Sequence, residues 1–151
     1  MATVLTYGTF DLFHVGHVRL LKRLSAMGER LIVGLSSDDF NHLKGKKTVM
    51  SFAQRKEILE SCRYVDEVFE ECCWEQKRGD VLKYGATIFA MGDDWAGKFD
   101  DLQDIVNVVY LARTEDISTT EVKDMIANIN ESKKQALVNS VNELREQINQ
   151  L

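Results

Sequence analysis

Short apolar runs alternate along the chain with stretches in which hydrophobic residues recur every three or four positions. The first run, "ATVLTY", predicts a buried strand, and "HVGHVRLLKRL" just after it predicts a helix. "RLIVGL", Arg30 to Leu35, predicts a second strand. Ser51 with Gln54 three residues on is a capping-box pattern that opens a helix over "SFAQRKEILESC". A strand around "VDEVFE", a helix around "WEQKRGDVLKY", and strands at "TIFAM" and "IVNVVYL" follow. Ser118 with Glu121 makes a second capping box, opening "STTEVKDMIANI". Five short strands separated by helical segments predict an α/β fold with a mainly parallel five-stranded sheet.

Composition narrows this picture without redirecting it. A chain of 151 residues, 44% hydrophobic and 28% charged, fits one domain with a real core. No apolar run approaches the roughly 20 residues of a membrane span. The start "MATVLTY" leads straight into a strand and lacks a signal-peptide pattern, so cytoplasmic residence is the default expectation. Cys62, Cys72 and Cys73 form no C-x-x-C pair and no disulfide framework. A zinc site using His14, His17 and a cysteine would lack any recognisable ligand spacing.

A net charge of −5 argues against nucleic-acid binding. Within that acidic average, "KGKKTVMSFAQRK" from Lys44 to Lys56 carries five cations and no carboxylate. Two readings stand open for it: a solvated loop and helix face, or a site for a compact polyanion.

Placement of the polar loops bears on that choice. In parallel α/β sheets, ligands bind beyond the carboxyl ends of the strands. "GTFDLFHVGH" leaves the first strand there, "GDDWAGKFDD" the fourth and "ARTEDISTT" the fifth. Two of these loops feed helix N-termini, where free amides and the helix dipole favour an anion. His14 and His17 are three apart and share a helix face near that entrance. The phosphate-loop pattern G-x-x-x-x-G-K-[ST] and the dinucleotide pattern G-x-G-x-x-G are both absent.

"GTFDLFHVGH" resembles the H-x-G-H signature of the α/β nucleotidyltransferases, and "RTEDISTT" resembles their second signature. With "RYVDEV", "WEQK" and "MGDDWAGKFD", the likeness runs from about Thr3 to Ile129 and is to the bacterial cytidylyltransferases acting on glycerol 3-phosphate. The resemblance implies a Rossmann-like, doubly wound nucleotidyltransferase fold. It also implies transfer of a cytidylyl group from CTP to sn-glycerol 3-phosphate, with Mg2+ and without a covalent intermediate. His14 and His17 would donate to the CTP phosphates, with Gly16 leaving space between them and the backbone of Thr9 and Phe10 against the nucleotide. Lys44 would reach the acceptor phosphate, Lys46 the triphosphate, and Lys77 would be a second acceptor ligand. Arg113, Thr114, Ser118 and Thr119 would hold the β- and γ-phosphates, and Asp94 would accept from the cytosine amine. Arg63 would lie near the acceptor, its rival reading being an ion pair with Asp66 or Glu67, and Arg55 is a further candidate there. Trp95 fits the core as well as the site. Asp116 stands where the family pattern carries glycine, and is expected to point outward. A related transferase using ATP or another acceptor, such as ethanolamine phosphate or FMN, is the alternative within the same chemistry.

The catalytic domain is expected to span 1–130, followed by a helical extension over 131–151. There, Leu137, Val141, Leu144, Ile148 and Leu151 recur at spacings of 4, 3, 4 and 3, a short heptad seam. It suits either a partner helix or packing on its own domain. The resemblance implies a homodimer with "RYVDEV" at the interface, which the extension could reinforce.

Overall fold

The structure, a computed structural model, describes residues 1–113 and 119–151. Two compact units emerge, Met1–Asp116 and Ile117–Leu151. In the first, β1 (Thr3–Gly8), β2 (Arg30–Ser36), β3 (Glu67–Glu71), β4 (Ile88–Gly92) and β5 (Asn107–Leu111) form a sheet in the order β3-β2-β1-β4-β5. Every pairing among the described strands is parallel. The expected α/β sheet is therefore present, and it is wholly parallel.

Alternation along the strands explains why helices cover both faces. Val4, Leu31, Val33 and Ala90 point to one side and pack with Leu21 and Leu24 of α1 (Val15–Ser25) and Leu59 of α3 (Phe52–Glu60). Leu5, Tyr7, Ile32 and Phe89 point to the other, against Val81 of α4 (Lys77–Tyr84) and the loop residues Phe99 and Leu102. The sheet is thus doubly wound. A six-residue helix, α2 (Asp38–Leu43), follows β2 with Ser37 as its N-cap and was not expected from periodicity, being less than two turns long.

Ser51 and Gln54 cap α3 reciprocally, as their spacing predicts. The second capping box falls partly on Ser118, outside the described residues. In the second unit, α5 runs unbroken from Thr119 to Asn149. The boundary expected near Asn130 lies inside this helix.

The strand order creates a switch point. From β1 the chain moves outward through β2 to β3, then crosses to β4 on the other side of β1. Connections leaving β1 and β4 diverge there, opening a crevice at their carboxyl ends. One glycine shapes its floor. Gly34 pairs with Tyr7, and a Cβ on it would come within 2.4 Å of the Tyr7 ring and 2.9 Å of Phe69. With glycine there, the Tyr7 ring meets Phe69 edge-on at 5.7 Å.

Candidate active site

Beyond Gly8 the backbone turns sharply. Phe10 (φ 50°) and Leu12 (φ 49°) both adopt the left-handed conformation, which bulky residues rarely tolerate. This strain lies in the H-x-G-H loop, the kind of place where strained backbone collects. His14 then stands extended as the N-cap of α1. Its Nδ1 accepts from the Gly16 amide at 3.0 Å, while the His17 Nδ1 accepts from the His14 amide at 3.2 Å.

The two histidines form a capping box of their own, which accounts for the three-residue spacing. A ring nitrogen that accepts carries no proton, so each neutral imidazole keeps its proton on Nε2. The rings stack with centroids 3.9 Å apart. Burial, then the neighbouring His14, lowers the His17 pKa to about 4, against a smaller opposing pull from Asp11. His17 is accordingly a neutral Nε2–H donor at pH 7.

Asp11, buried in the same loop, reaches the basic segment. Its carboxylate accepts from the amides of Val49 at 2.8 Å, Met50 at 3.0 Å and Leu12 at 3.1 Å. Arg55 is fully buried beneath. It donates to the carbonyls of Thr9 (2.9 Å), Ser36 (2.8 Å) and Met50 (3.1 Å), and to Asp38 (2.7 Å). Arg55 is thus corrected from acceptor candidate to internal brace, because four bonds inside the fold occupy its guanidinium.

The lysines converge next to this brace. Lys77, at the start of α4, is buried and donates to Glu71 Oε2 at 2.5 Å. Glu71 Oε1 accepts from Ser36 Oγ at 3.0 Å, and that same hydroxyl oxygen accepts from Lys44 Nζ at 3.0 Å. Burial first, then the cations Lys46, Lys77 and Arg55, lowers the Lys44 pKa to about 8, although Glu71 opposes the shift. The Lys77 ammonium lies 4.6 Å from the Tyr7 ring centroid and 4.8 Å from that of Trp74. Thr9, Lys44, Lys46, Glu71, Trp74 and Lys77 line a common pocket of about 80 Å³. That is room for a compact tetrahedral anion, with two ammonium groups on one carboxylate–hydroxyl relay.

Of the expected site residues, the structure brings Thr9, Lys44, Lys46 and Lys77 into this pocket, Phe10 and His14 onto the adjoining loop, and Gly16 and His17 into the first turn of α1 that follows it. Asp94 is exposed on a 3₁₀ turn (Asp93–Trp95) beyond the carboxyl end of β4. Trp95 packs partly against the core while also lining the pocket. Arg113 is exposed just past β5. Thr114, Asp116 and Ser118 lie outside the described residues, and Thr119 opens α5 in the second unit.

Arg63 precedes β3, at the amino end of the sheet, and its guanidinium lies over Tyr64 at 5.2 Å. The carboxylates proposed as its partners bond elsewhere: Asp66 accepts from the Leu31 amide and Glu67 pairs with Arg30. Sequence reasoning missed Asp11, Ser36 and Glu71. A lone acid inside the H-x-G-H loop was the available signal for Asp11.

The family model described as cytidylyltransferase-like matches residues 5–125. Glycerol-3-phosphate cytidylyltransferase of Bacillus subtilis (strain 168) is 54% identical over 129 residues, covering 85% of this chain and 100% of that one. The enzyme of the same name from Staphylococcus aureus (strain NCTC 8325 / PS 47) is 54% identical over 123 residues, covering 82% and 93%. Among solved structures, the lipopolysaccharide core biosynthesis protein from Thermoplasma volcanium GSS1 superposes with a TM-score of 0.65 at 21% identity. It covers 76% of this chain and 99% of its own, which is a likeness of fold.

Proposed function

The chain belongs to the cytidylyltransferase-like family, and from that premise we propose its reaction and the part each residue plays. It is a nucleotidyltransferase that moves the cytidylyl group of CTP onto sn-glycerol 3-phosphate, giving CDP-glycerol and pyrophosphate. The observation that carries this reading in the structure is the pocket lined by Lys44, Lys46 and Lys77, together with the pair of Nε2-donating histidines that the loop after Thr9 leads to.

An oxygen of the acceptor phosphate attacks the α-phosphorus of CTP in line. The new P–O bond forms as the bond to the β-bridging oxygen breaks, and pyrophosphate leaves with that oxygen. No enzyme nucleophile takes part, so catalysis rests on positioning and on stabilising charge as it builds. Lys44 and Lys77 hold the acceptor phosphate, and Lys46 turns to the triphosphate. His14 and His17 donate to the CTP phosphates from Nε2. The backbone of Thr9 and Phe10 lies along the nucleotide beside Gly16. Arg113, Thr114, Ser118 and Thr119 take the β- and γ-phosphates, and Asp94 accepts from the cytosine amine; Arg63, at the amino end of the sheet, has no part in the acceptor pocket.

Among the described residues no group of three His, Cys, Asp or Glu side chains could hold a metal. Asp11 also commits its carboxylate to backbone amides. Such a site fits magnesium carried in by the triphosphate oxygens, where it would neutralise phosphate charge. No described helix is long and apolar enough to cross a membrane. We place the enzyme in the cytoplasm as a homodimer, supplying CDP-glycerol for a teichoic acid or capsular polymer.

The test is pyrophosphate release with magnesium, pairing CTP or ATP with glycerol 3-phosphate, ethanolamine phosphate or FMN. Turnover confined to CTP with glycerol 3-phosphate is expected. Preference for another pair would overturn the substrate assignment.

A further inference from the structure

The C-terminal half of α5 lies beyond the part of the chain that the family model matches, which ends at residue 125. It is also where apolar side chains stand open to solvent: Leu137, Val141, Leu144, Ile148 and Leu151 are all more than half exposed. The 4-3-4-3 spacing places Val141 and Ile148 at the a positions of a heptad, and Leu137, Leu144 and Leu151 at d. Among parallel coiled coils, β-branched residues at a with leucine at d favour two strands over three or four. Lys134 falls at the preceding a position, and one polar residue there sets register.

The flanking positions agree. In a parallel pair, Ser140 at g faces Arg145 at e of the partner, so no like charges meet across the flanks of the apolar stretch from Leu137 to Leu151; the two Lys134 side chains face each other only at its amino end. Away from the seam the helix carries Gln135, Asn139, Asn142, Glu143, Glu146 and Asn149, with Gln135 bonded to Asn139 at 3.0 Å. A face of amides and carboxylates suits water. It lacks the lysine- and arginine-rich character of a helix that lies on lipid, and the seam lacks Trp and Phe. Pairing two copies would remove on the order of 1,000 Å² from water, the area a biological interface should clear.

We propose that the segment of α5 beyond Asn130 pairs in parallel with the same segment of a second copy of this chain. The assignment stands on the seam's own chemistry and does not depend on which acceptor the enzyme uses. It adds a contact separate from any dimer made by the catalytic unit.

Site-directed cross-linking tests it in the full chain, with Cys62, Cys72 and Cys73 replaced by serine. Leu144→Cys places a thiol at d, and Glu146→Cys places one two residues away on the outer face. Under mild oxidation, Leu144→Cys should form the inter-chain disulfide at least tenfold faster than Glu146→Cys, because of these two positions only the one in the seam approaches its counterpart closely enough. Adding Val141→Asp should erase that difference. Equal rates at the two positions would mean that the tails are merely tethered near one another, and would overturn the proposal. So would absence of linkage at both, the result for a helix folded onto its own domain. Co-sedimentation with phosphatidylcholine–phosphatidylglycerol vesicles in place of linkage would overturn it in favour of a lipid surface.

Discussion

Glu71 holds the ammonium of Lys77 at 2.5 Å, and both side chains are almost closed to solvent. Its second oxygen accepts from Ser36, whose hydroxyl in turn receives Lys44. One carboxylate therefore orients both cations assigned to the acceptor. Glu71→Gln keeps the shape and removes the charge, leaving a buried ammonium without its counter-ion. Losing one partner of a buried pair costs about 3–5 kcal/mol, and the retained amide oxygen should place this variant near the lower figure. We expect a lowered denaturation midpoint and an acceptor KM raised at least tenfold, with the KM for CTP moving less. An unchanged acceptor KM would show that the relay does not position the lysines.

His14 has two duties that substitution can separate. As N-cap it accepts from the Gly16 amide, and through Nε2 it is assigned a phosphate contact. Asparagine is a good N-cap residue, so His14→Asn should keep stability within about 0.5 kcal/mol, whereas His14→Ala should lose about 1 kcal/mol. Both should lose roughly 10²–10³ in turnover, the usual effect of removing one transition-state donor. Equal activity in His14→Asn and the unaltered chain would remove the histidine from the chemistry.

The response to pH follows from two lowered pKa values. His17 titrates near 4 in the fold, below its ordinary 6.5. Between those values the unfolded chain binds the proton more readily, so stability is complete above pH 6.5 and is lost as pH falls through 4. The loss should be on the order of 2–3 kcal/mol. Urea titrations at pH 7 and 4.5 should show a smaller drop for His17→Gln than for the unaltered chain.

Lys44 titrates near 8 rather than 10.5. Its sign is the same for stability, which gains as pH rises from 8 towards 10.5, because burying the ammonium is then no longer required. Acceptor binding moves the other way, since the charge that attracts the phosphate disappears. The acceptor KM should therefore climb above pH 8 while the folded state holds firm. A flat acceptor KM from pH 7 to 9.5 would contradict the role given to Lys44.

Gly34 offers a test of the pocket floor. A methyl group there would press into the Tyr7 ring, which also faces Phe69 and carries Lys77 above it. A planar ring in a packed core cannot yield like the tip of a flexible side chain. Gly34→Ala should cost about 1–3 kcal/mol, the usual range for overpacking, and should weaken acceptor binding as well. Loss of stability with an unaltered acceptor KM would separate the floor from the site.

Much of the fold was legible because buried parallel strands announce themselves as short apolar runs, and "ATVLTY" and "RLIVGL" did so plainly. Ser51 and Gln54 were readable for a similar reason: a capping box depends on residues three apart and on little else. The histidine pair was recognisable as a motif, but its spacing was read as a shared helix face. It proved to be a cap, since His14 stands outside α1 with its ring bonded to the backbone. Arg55, Asp11 and Glu71 were not legible as buried groups. Their partners lie up to 46 residues away, as for Arg55 and Thr9, and a charge in sequence carries no sign of whether the fold will close over it. The basic run from Lys44 to Lys56 shows the result. Lys44 and Lys46 face the pocket, while Arg55 is sealed inside the fold.

Asp11 leaves the basic segment with little freedom to wander. The segment is fastened at one end where Lys44 closes α2, and at the other where Val49 and Met50 donate to the Asp11 carboxylate. Lys46 sits two residues from the first fastening, so its backbone can stray no more than about 7 Å from that point. A tether this short gives the Lys46 ammonium a high effective concentration at the rim, without the long search of a free loop. The chain between Lys44 and Val49 therefore behaves as a strap of fixed reach. Lengthening it, even by residues that touch nothing, should dilute that cation from the place where the triphosphate must lie.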